Sequence, residues 1–384
     1  MTVTVAKGFV AAGIAAGIKK NGKRDLALVV NQGPMKAAAA VFTSNRCQAN
    51  PVLWSKQAIS DGEIEAIILN SGGANCYTGP EGFQTTHATA EKVADELGIS
   101  AGDVLVCSTG LIGDQLPRET LLAGVSVAVK ELANHNGPVA AEAIMTTDSV
   151  PKTAYRVSEQ GWSVGGMAKG AGMLAPALAT MLVVITTDVV LDSKSLDAAL
   201  RQATRVSFDR LDSDGCTSTN DTVALMASGA SGVAPTLEEF TTLLTEVCED
   251  LAKQLMRDAE GSTHDIIIRV TSAATEDDAV EVGRSLARNN LFKAAVYGND
   301  PNWGRILAAV GTTKAKFDPY DIDVAINGVS VSRKGMPDQP RNLVDMTPRE
   351  VFIDISLNAG IHHANVYTND LSHAYVTENS EYSS

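Results

Sequence analysis

The 384-residue chain reads as an α/β protein. Three observations predict this. Short apolar runs bounded by turn residues alternate with longer segments. The longer segments repeat their apolar residues at helical spacing. The composition, 45% apolar and 20% charged, is that of an ordinary globular chain. A chain of this length exceeds one ordinary core, so two or three packed lobes are expected.

Strands are expected over 26–30 (LALVV), 64–69 (IEAIIL), 104–107 (VLVC), 181–186 (MLVVIT), 223–226 (VALM), 266–270 (IIIRV), 322–326 (IDVAI) and 351–357 (VFIDISL). Such runs suit strands buried on both faces. Helices are expected over 85–97, 118–133, 195–206, 237–256 and 277–289. The clearest is 237–256, where Leu237, Phe240, Leu243, Leu244, Val247, Leu251 and Leu255 form one stripe and acids and lysines fill the other face. Glycine clusters at 71–75, 108–110 and 165–172 fall where runs end, as expected of turns and close backbone approaches. There is no internal repeat or low-complexity linker. The softest boundaries, near 192–195 and 272–278, divide the chain into 1–193, 194–275 and 276–384.

A net charge of −14 repels phosphate backbones, and the lysines and arginines are scattered, so nucleic acid is not an expected partner. No continuous apolar stretch of about 18 residues is present, so no membrane span is expected. The small residues of 1–16 faintly suggest a signal peptide, but none is expected, because Gly8, Gly13 and Gly17 break the run and a basic stretch follows at once. The five cysteines are odd in number and share no CxxC spacing, which argues against a disulfide framework and a zinc site and for a reducing cytoplasm. No metal is expected, and Cys107 reads as a small apolar filler. Small-molecule chemistry is the class left.

The segment 169–182, KGAGMLAPALATML, joins a glycine-rich loop to an apolar strand that opens near Thr180. Taken alone, it is simply a glycine loop before a core strand. Together with TTD at 186–188 it resembles the signature of the ornithine acetyltransferase family, the ArgJ-type glutamate N-acetyltransferases. Further blocks resemble that family in order along nearly the whole chain: NSGGANC at 70–76, STGLIG at 108–113, MTTDSVPK at 145–152, DSDGCTSTND at 212–221, EGSTH at 260–264 and YGNDPNWGRI at 297–306.

The resemblance implies a layered α-β-β-α sandwich with smaller α/β lobes toward the C-terminus. It implies self-cleavage between Ala179 and Thr180, with Thr180 as the nucleophile. The Thr109 hydroxyl and the Gly110 backbone N–H would form the oxyanion site. Substrate would be bound by Thr147, Lys169, Thr180, Glu260, Asn379 and Ser384. The tail departs from the family form at Glu378, which weakens the match at Asn379 and Ser384. The substrates implied are N-acetylornithine and glutamate, without a cofactor, in a cytoplasmic dimer of cleaved α/β pairs. The family leaves open whether acetyl-CoA is a second donor.

The chemistry accounts for the residue types. A threonine hydroxyl is a weak nucleophile and needs an adjacent base. Cleavage would give Thr180 its own α-amine, a group that titrates near ~8 and can take the hydroxyl proton. No Ser-His-Asp pattern is evident among the six histidines, and none is then needed. Donors at the oxyanion are worth about 3 kcal/mol each. Lys169 suits a substrate carboxylate and Glu260 a substrate ammonium. The same nucleophile with water as acceptor would make an amidohydrolase or aminopeptidase. A catalytically silent binding protein would need the nucleophile or oxyanion residues to be lost, and all are present. Asn302, Arg305, Asp212 and Asp214 are assigned no catalysis, and loop capping is expected of the two aspartates rather than metal binding.

Overall fold

The computed structural model describes residues 2–173 and 181–381. Ala179, Thr180 and Ser384 therefore lie outside the described residues. The described residues form two compact units, one within Met1–Ala171, Ala177–Phe208 and Thr217–Leu255, the other within Gly172–Pro176, Asp209–Cys216 and Met256–Ser384.

The first unit carries β1 (Phe9–Ile14), β2 (Leu26–Asn31), β3 (Ala38–Phe42), α1 (Asn50–Ala58), β4 (Ala66–Asn70), α2 (Gly79–Leu97), β5 (Val104–Ser108), α3 (Arg118–Lys130), α4 (Gly137–Ala143), β6 (Lys152–Val157), β7 (Ser163–Lys169), β8 (Leu182–Thr187), α5 (Ser193–Val206), β9 (Thr222–Ala227) and α6 (Leu237–Arg257). Its sheets run β1-β2-β4-β5 and β3-β9-β8-β7-β6. Strand periodicity explains the layering, because alternate side chains leave opposite faces. Ala27, Val29, Ile67 and Leu69 of the first sheet share one buried cluster with Met167, Leu182, Val184 and Met226 of the second. Leu26, Leu28 and Ile68, on the first sheet's other face, pack on Val93 of α2 and on Leu121 and Val125 of α3. On the far face of the second sheet, a Cβ added to Gly166 would lie 2.9 Å from Leu251 of α6, and α5 packs on β3. The layers are therefore helix, sheet, sheet, helix.

Gly165 and Gly166 correct the sequence reading. They sit in the middle of β7 rather than at the end of a run. A Cβ on Gly165 would lie 2.3 Å from the Thr2 carbonyl oxygen. Close packing on both faces, rather than a turn, keeps these positions small. Likewise α2 starts at Gly79 instead of 85, because Pro80 occupies its first turn, where a missing N–H costs nothing.

The second unit carries β10 (Asp265–Ala273), α7 (Glu276–Ala287), α8 (Asn290–Tyr297), α9 (Trp303–Val310), β11 (Asp323–Ile326), β12 (Val329–Arg333), β13 (Met336–Pro337), β14 (Glu350–Ser356), β15 (His362–Asn369) and α10 (His373–Glu381). Its sheet runs β13-β12-β11-β14-β10-β15, with β10 parallel to β14 and antiparallel to β15. Ile266, Ile268, Val351 and Ile353 pack on Val282 and Leu286 of α7. Asn302 accepts from the Arg305 amide at 3.2 Å and so caps α9. Among the described residues no helix is long and apolar enough to cross a membrane.

Replacing Leu69 with alanine removes a fully buried side chain between the two sheets. Denaturant unfolding should show a loss of about 2–5 kcal/mol. Val127→Ala, half exposed on α3, should change stability by less than about 0.5 kcal/mol.

Candidate active site

In the first unit the site grows from the end of β5. The Thr109 N–H donates to the Asn70 carbonyl, and the Thr109 carbonyl accepts from the Gly73 N–H, both at 3.0 Å. Asn220 ties the same turn together, donating from its amide to the Ala74 carbonyl at 2.6 Å and the Ser108 carbonyl at 2.8 Å. Gly110 follows with φ +134°, and a Cβ there would lie 2.8 Å from the Gly73 nitrogen. Only glycine fits this position. Asn220 thus binds the blocks at 70–76 and 108–113 into one local structure.

Lys169 ends β7 and lies opposite Leu182 of β8. Its buried ammonium donates to the Thr109 hydroxyl at 3.2 Å. The next amide, Gly170 N–H, donates to Asp148 Oδ1 at 2.7 Å, an oxygen that also takes Lys152 Nζ at 2.6 Å. Asp148 Oδ2 accepts from the Thr146 amide at 2.9 Å. Burial opposes the charge on Asp148, but the Lys169 and Lys152 ammoniums and the Thr146 amide outweigh it and hold the carboxyl at about 2. Thr147, the neighbouring residue, is exposed.

At the start of β8, the Met181 N–H donates to Asp221 Oδ1 at 3.1 Å. The Asp221 side chain is completely buried. Burial pushes its carboxyl well above the usual range, against the Met181 amide, Ser218 and the Lys169 charge. Met181 is the residue after Thr180, so this carboxyl anchors the chain immediately downstream of the expected cleavage point. Sequence reasoning missed Asp148, Lys152 and Asp221. Aspartate and lysine usually stay solvated, and only tertiary pairing reveals that these are buried.

In the second unit, Asp214, Glu260, Lys293, Asn369, Asp370 and Tyr375 help line a cavity of about 270 Å³. A Cβ on Gly172 would lie 2.6 Å from Glu260 Oε2, so the carboxylate packs directly on that glycine. The Met173 N–H donates to Asp214 Oδ2 at 2.8 Å. Burial pushes Asp214 up to about 6, with Glu260 adding to the effect and the Met173 amide and Lys293 opposing it. Asp212 accepts from Arg288 Nε at 2.7 Å. Asp214 thus holds a loop amide distant in sequence, and Asp212 pairs with an arginine. The Asn379 side chain donates to the Tyr375 carbonyl on α10 at 3.0 Å and is otherwise exposed. The start of α10 is pressed on the Glu260 turn, since a Cβ on Gly261 would lie 2.1 Å from Tyr375 N.

The cysteines are free thiols, and Cys107 is buried in β5 with burial pushing its thiol up to about 12. Among the described residues, no cluster of His, Cys, Asp or Glu could hold a metal ion.

Asp148→Asn removes the carboxylate charge that pairs with the fully buried Lys152 ammonium at 2.6 Å. The expected loss at neutral pH is about 3–5 kcal/mol. The folded Asp148 carboxyl, at about 2, lies below its unfolded value of about 4. Its contribution is therefore complete above about pH 4 and lost as pH falls towards 2. Unfolding curves of wild type and variant should converge over that window.

The sequence model of the ArgJ family matches residues 10–384. The arginine biosynthesis bifunctional protein ArgJ of Streptomyces avermitilis is 62% identical, over 100% of both chains. That of Thermobifida fusca is 59% identical, again over 100% of both chains. A solved structure of ornithine acetyltransferase complexed with ornithine, from Mycobacterium tuberculosis, is 55% identical, with a TM-score of 0.45 over 47% of this chain and 96% of that one. The blocks that carry the resemblance lie within the matched span. The chain belongs to the ArgJ family, acyltransferases of arginine biosynthesis.

Proposed function

We propose that this acyltransferase moves acetyl from N-acetylornithine to glutamate in two half-reactions, through an acetyl ester on Thr180. The reading rests on family membership, and one observation in the site carries it. The β7–β8 register sets Lys169 opposite Leu182, two residues beyond Thr180 in the chain, and Lys169 is bonded to Thr109. The proposed oxyanion residue at the end of one sheet is thus bonded to Lys169 at the end of the other, beside the strand that follows Thr180 in the chain.

The Thr180 nucleophile is made by the chain itself. Its hydroxyl attacks the Ala179 carbonyl carbon, the acyl group passes from nitrogen to oxygen, and water hydrolyses the ester. Ala179 ends as a carboxylate and Thr180 as a free amine. In turnover that amine takes the hydroxyl proton. The hydroxyl oxygen bonds to the acetyl carbon of N-acetylornithine, and the ornithine nitrogen leaves with a proton. Glutamate's amine then attacks the ester, giving N-acetylglutamate and restoring Thr180. Thr109 and Gly110 stabilise the oxygen that becomes negative in each step.

Lys169 and Thr147 are the proposed ligands of the substrate's carboxylate end. Glu260, in its acidic cavity, is the proposed partner of the ornithine ammonium, with Asn379 and Ser384 contributing from the C-terminal segment. The helix that carries Asn379 begins against the Glu260 turn, which supports that assignment. A cytoplasmic dimer of cleaved pairs completes the proposal, without nucleic acid or membrane. A second donor, acetyl-CoA, is favoured by the word bifunctional in the relatives' names. Water in place of glutamate is the competing acceptor.

Denaturing mass spectrometry should show two fragments, one ending at Ala179 and one beginning at Thr180. Thr180→Ala should give a single intact mass and no acetyl transfer, and a variant that still cuts and turns over refutes the proposal. Thr109→Val should lower kcat by about 10²–10³-fold on cut enzyme. Glu260→Gln should raise KM for N-acetylornithine by about tenfold. Product analysis with and without glutamate separates transfer from hydrolysis, and the same assay with acetyl-CoA tests the second donor.

A further inference from the structure

We propose that Lys169 is a positioning residue for the oxyanion site, beyond any contact with a substrate carboxylate. Its ammonium donates to the Thr109 hydroxyl and so turns the Thr109 proton toward the oxygen that becomes negative. This deepens the reading above and rests on it.

The inference follows from what each group can do. A lysine ammonium has three donors and no acceptor. In the contact of 3.2 Å, Thr109 Oγ1 is therefore the acceptor. A hydroxyl has one proton, and that proton cannot return along the line to Lys169. Among the described residues, no acceptor is found for it. The Thr109 proton is left for the substrate. Both side chains are almost completely buried, at 2% and 1% exposure, so the ammonium strengthens the hydroxyl as a donor with little screening.

The pair is also held from both ends. Thr109 is fixed through its own N–H and carbonyl, bonded to Asn70 and Gly73. Lys169 is fixed by the β7–β8 pairing and by the Gly170 amide on Asp148. The buried Asp148 carboxylate is held ionised in part by the Lys169 charge, so the ammonium has a counter-charge in the fold without a substrate carboxylate. A lysine serving only as an anchor for substrate needs no bond to Thr109.

The test uses an acetyl donor with no carboxylate, p-nitrophenyl acetate, on the full cut enzyme, with rates normalised to active sites by burst titration. Lys169→Met should lower kcat/KM for this ester by about 10–100-fold. Lys169→Arg, which keeps a donor, should recover at least about tenfold of that loss. The double variant with Thr109→Val should fall no more than about threefold below Thr109→Val alone, because the two residues act as one unit. A Lys169→Met enzyme within about threefold of wild type on the ester overturns the inference, as does a cut Lys169→Arg enzyme that recovers nothing. If Lys169→Met stays uncut, the arginine variant carries the decision. A wild-type chain with no Thr180-dependent burst would refute the reading underneath, before any lysine variant is made.

Discussion

Asp148 brings the first unit's site together. One buried carboxylate receives the Lys152 ammonium, the Gly170 amide and the Thr146 amide. Those donors come from the first residue of β6, the residue just past β7 and the turn that carries Thr147. Stripping water from a carboxylate is expensive, and the cost is met only when its oxygens are filled and its charge is balanced. Here both conditions hold, so the arrangement tolerates little displacement. Lys169 is the residue before Gly170, and its direction follows.

The same economy of charge runs through the rest of the site. The Lys169 charge acts on Asp148 and Asp221, and its ammonium donates to the Thr109 hydroxyl. Asp221 in turn holds the amide just downstream of Thr180. A network of this kind is stiff, because moving one member leaves another without a partner in a low-dielectric interior. Stiffness suits a site that must offer donors to a charge that exists only during reaction.

In the second unit the logic is different. Its cavity carries acidic groups whose burial raises the cost of ionisation, as the upward displacement of Asp214 shows. A cation entering such a cavity relieves that cost. Under the proposed function, this is the reason for assigning the ornithine ammonium to Glu260.

The sequence by itself determined the class of fold and the family. Apolar runs and the α6 stripe are local signals, and ordered blocks such as STG at 108–110 survive without coordinates. It could not show that Gly165 and Gly166 lie inside a strand, because their reason is what packs on them: the Thr2 carbonyl and Leu251. Nor could it show that Asp148, Lys152 and Asp221 are buried, since a charged residue carries no local mark of its distant partner. The pairing of Lys169 with Thr109 was decided by tertiary structure alone. They are 60 residues apart, and only the packing of two sheets, each with its own register, sets a lysine at one strand end beside a hydroxyl at another.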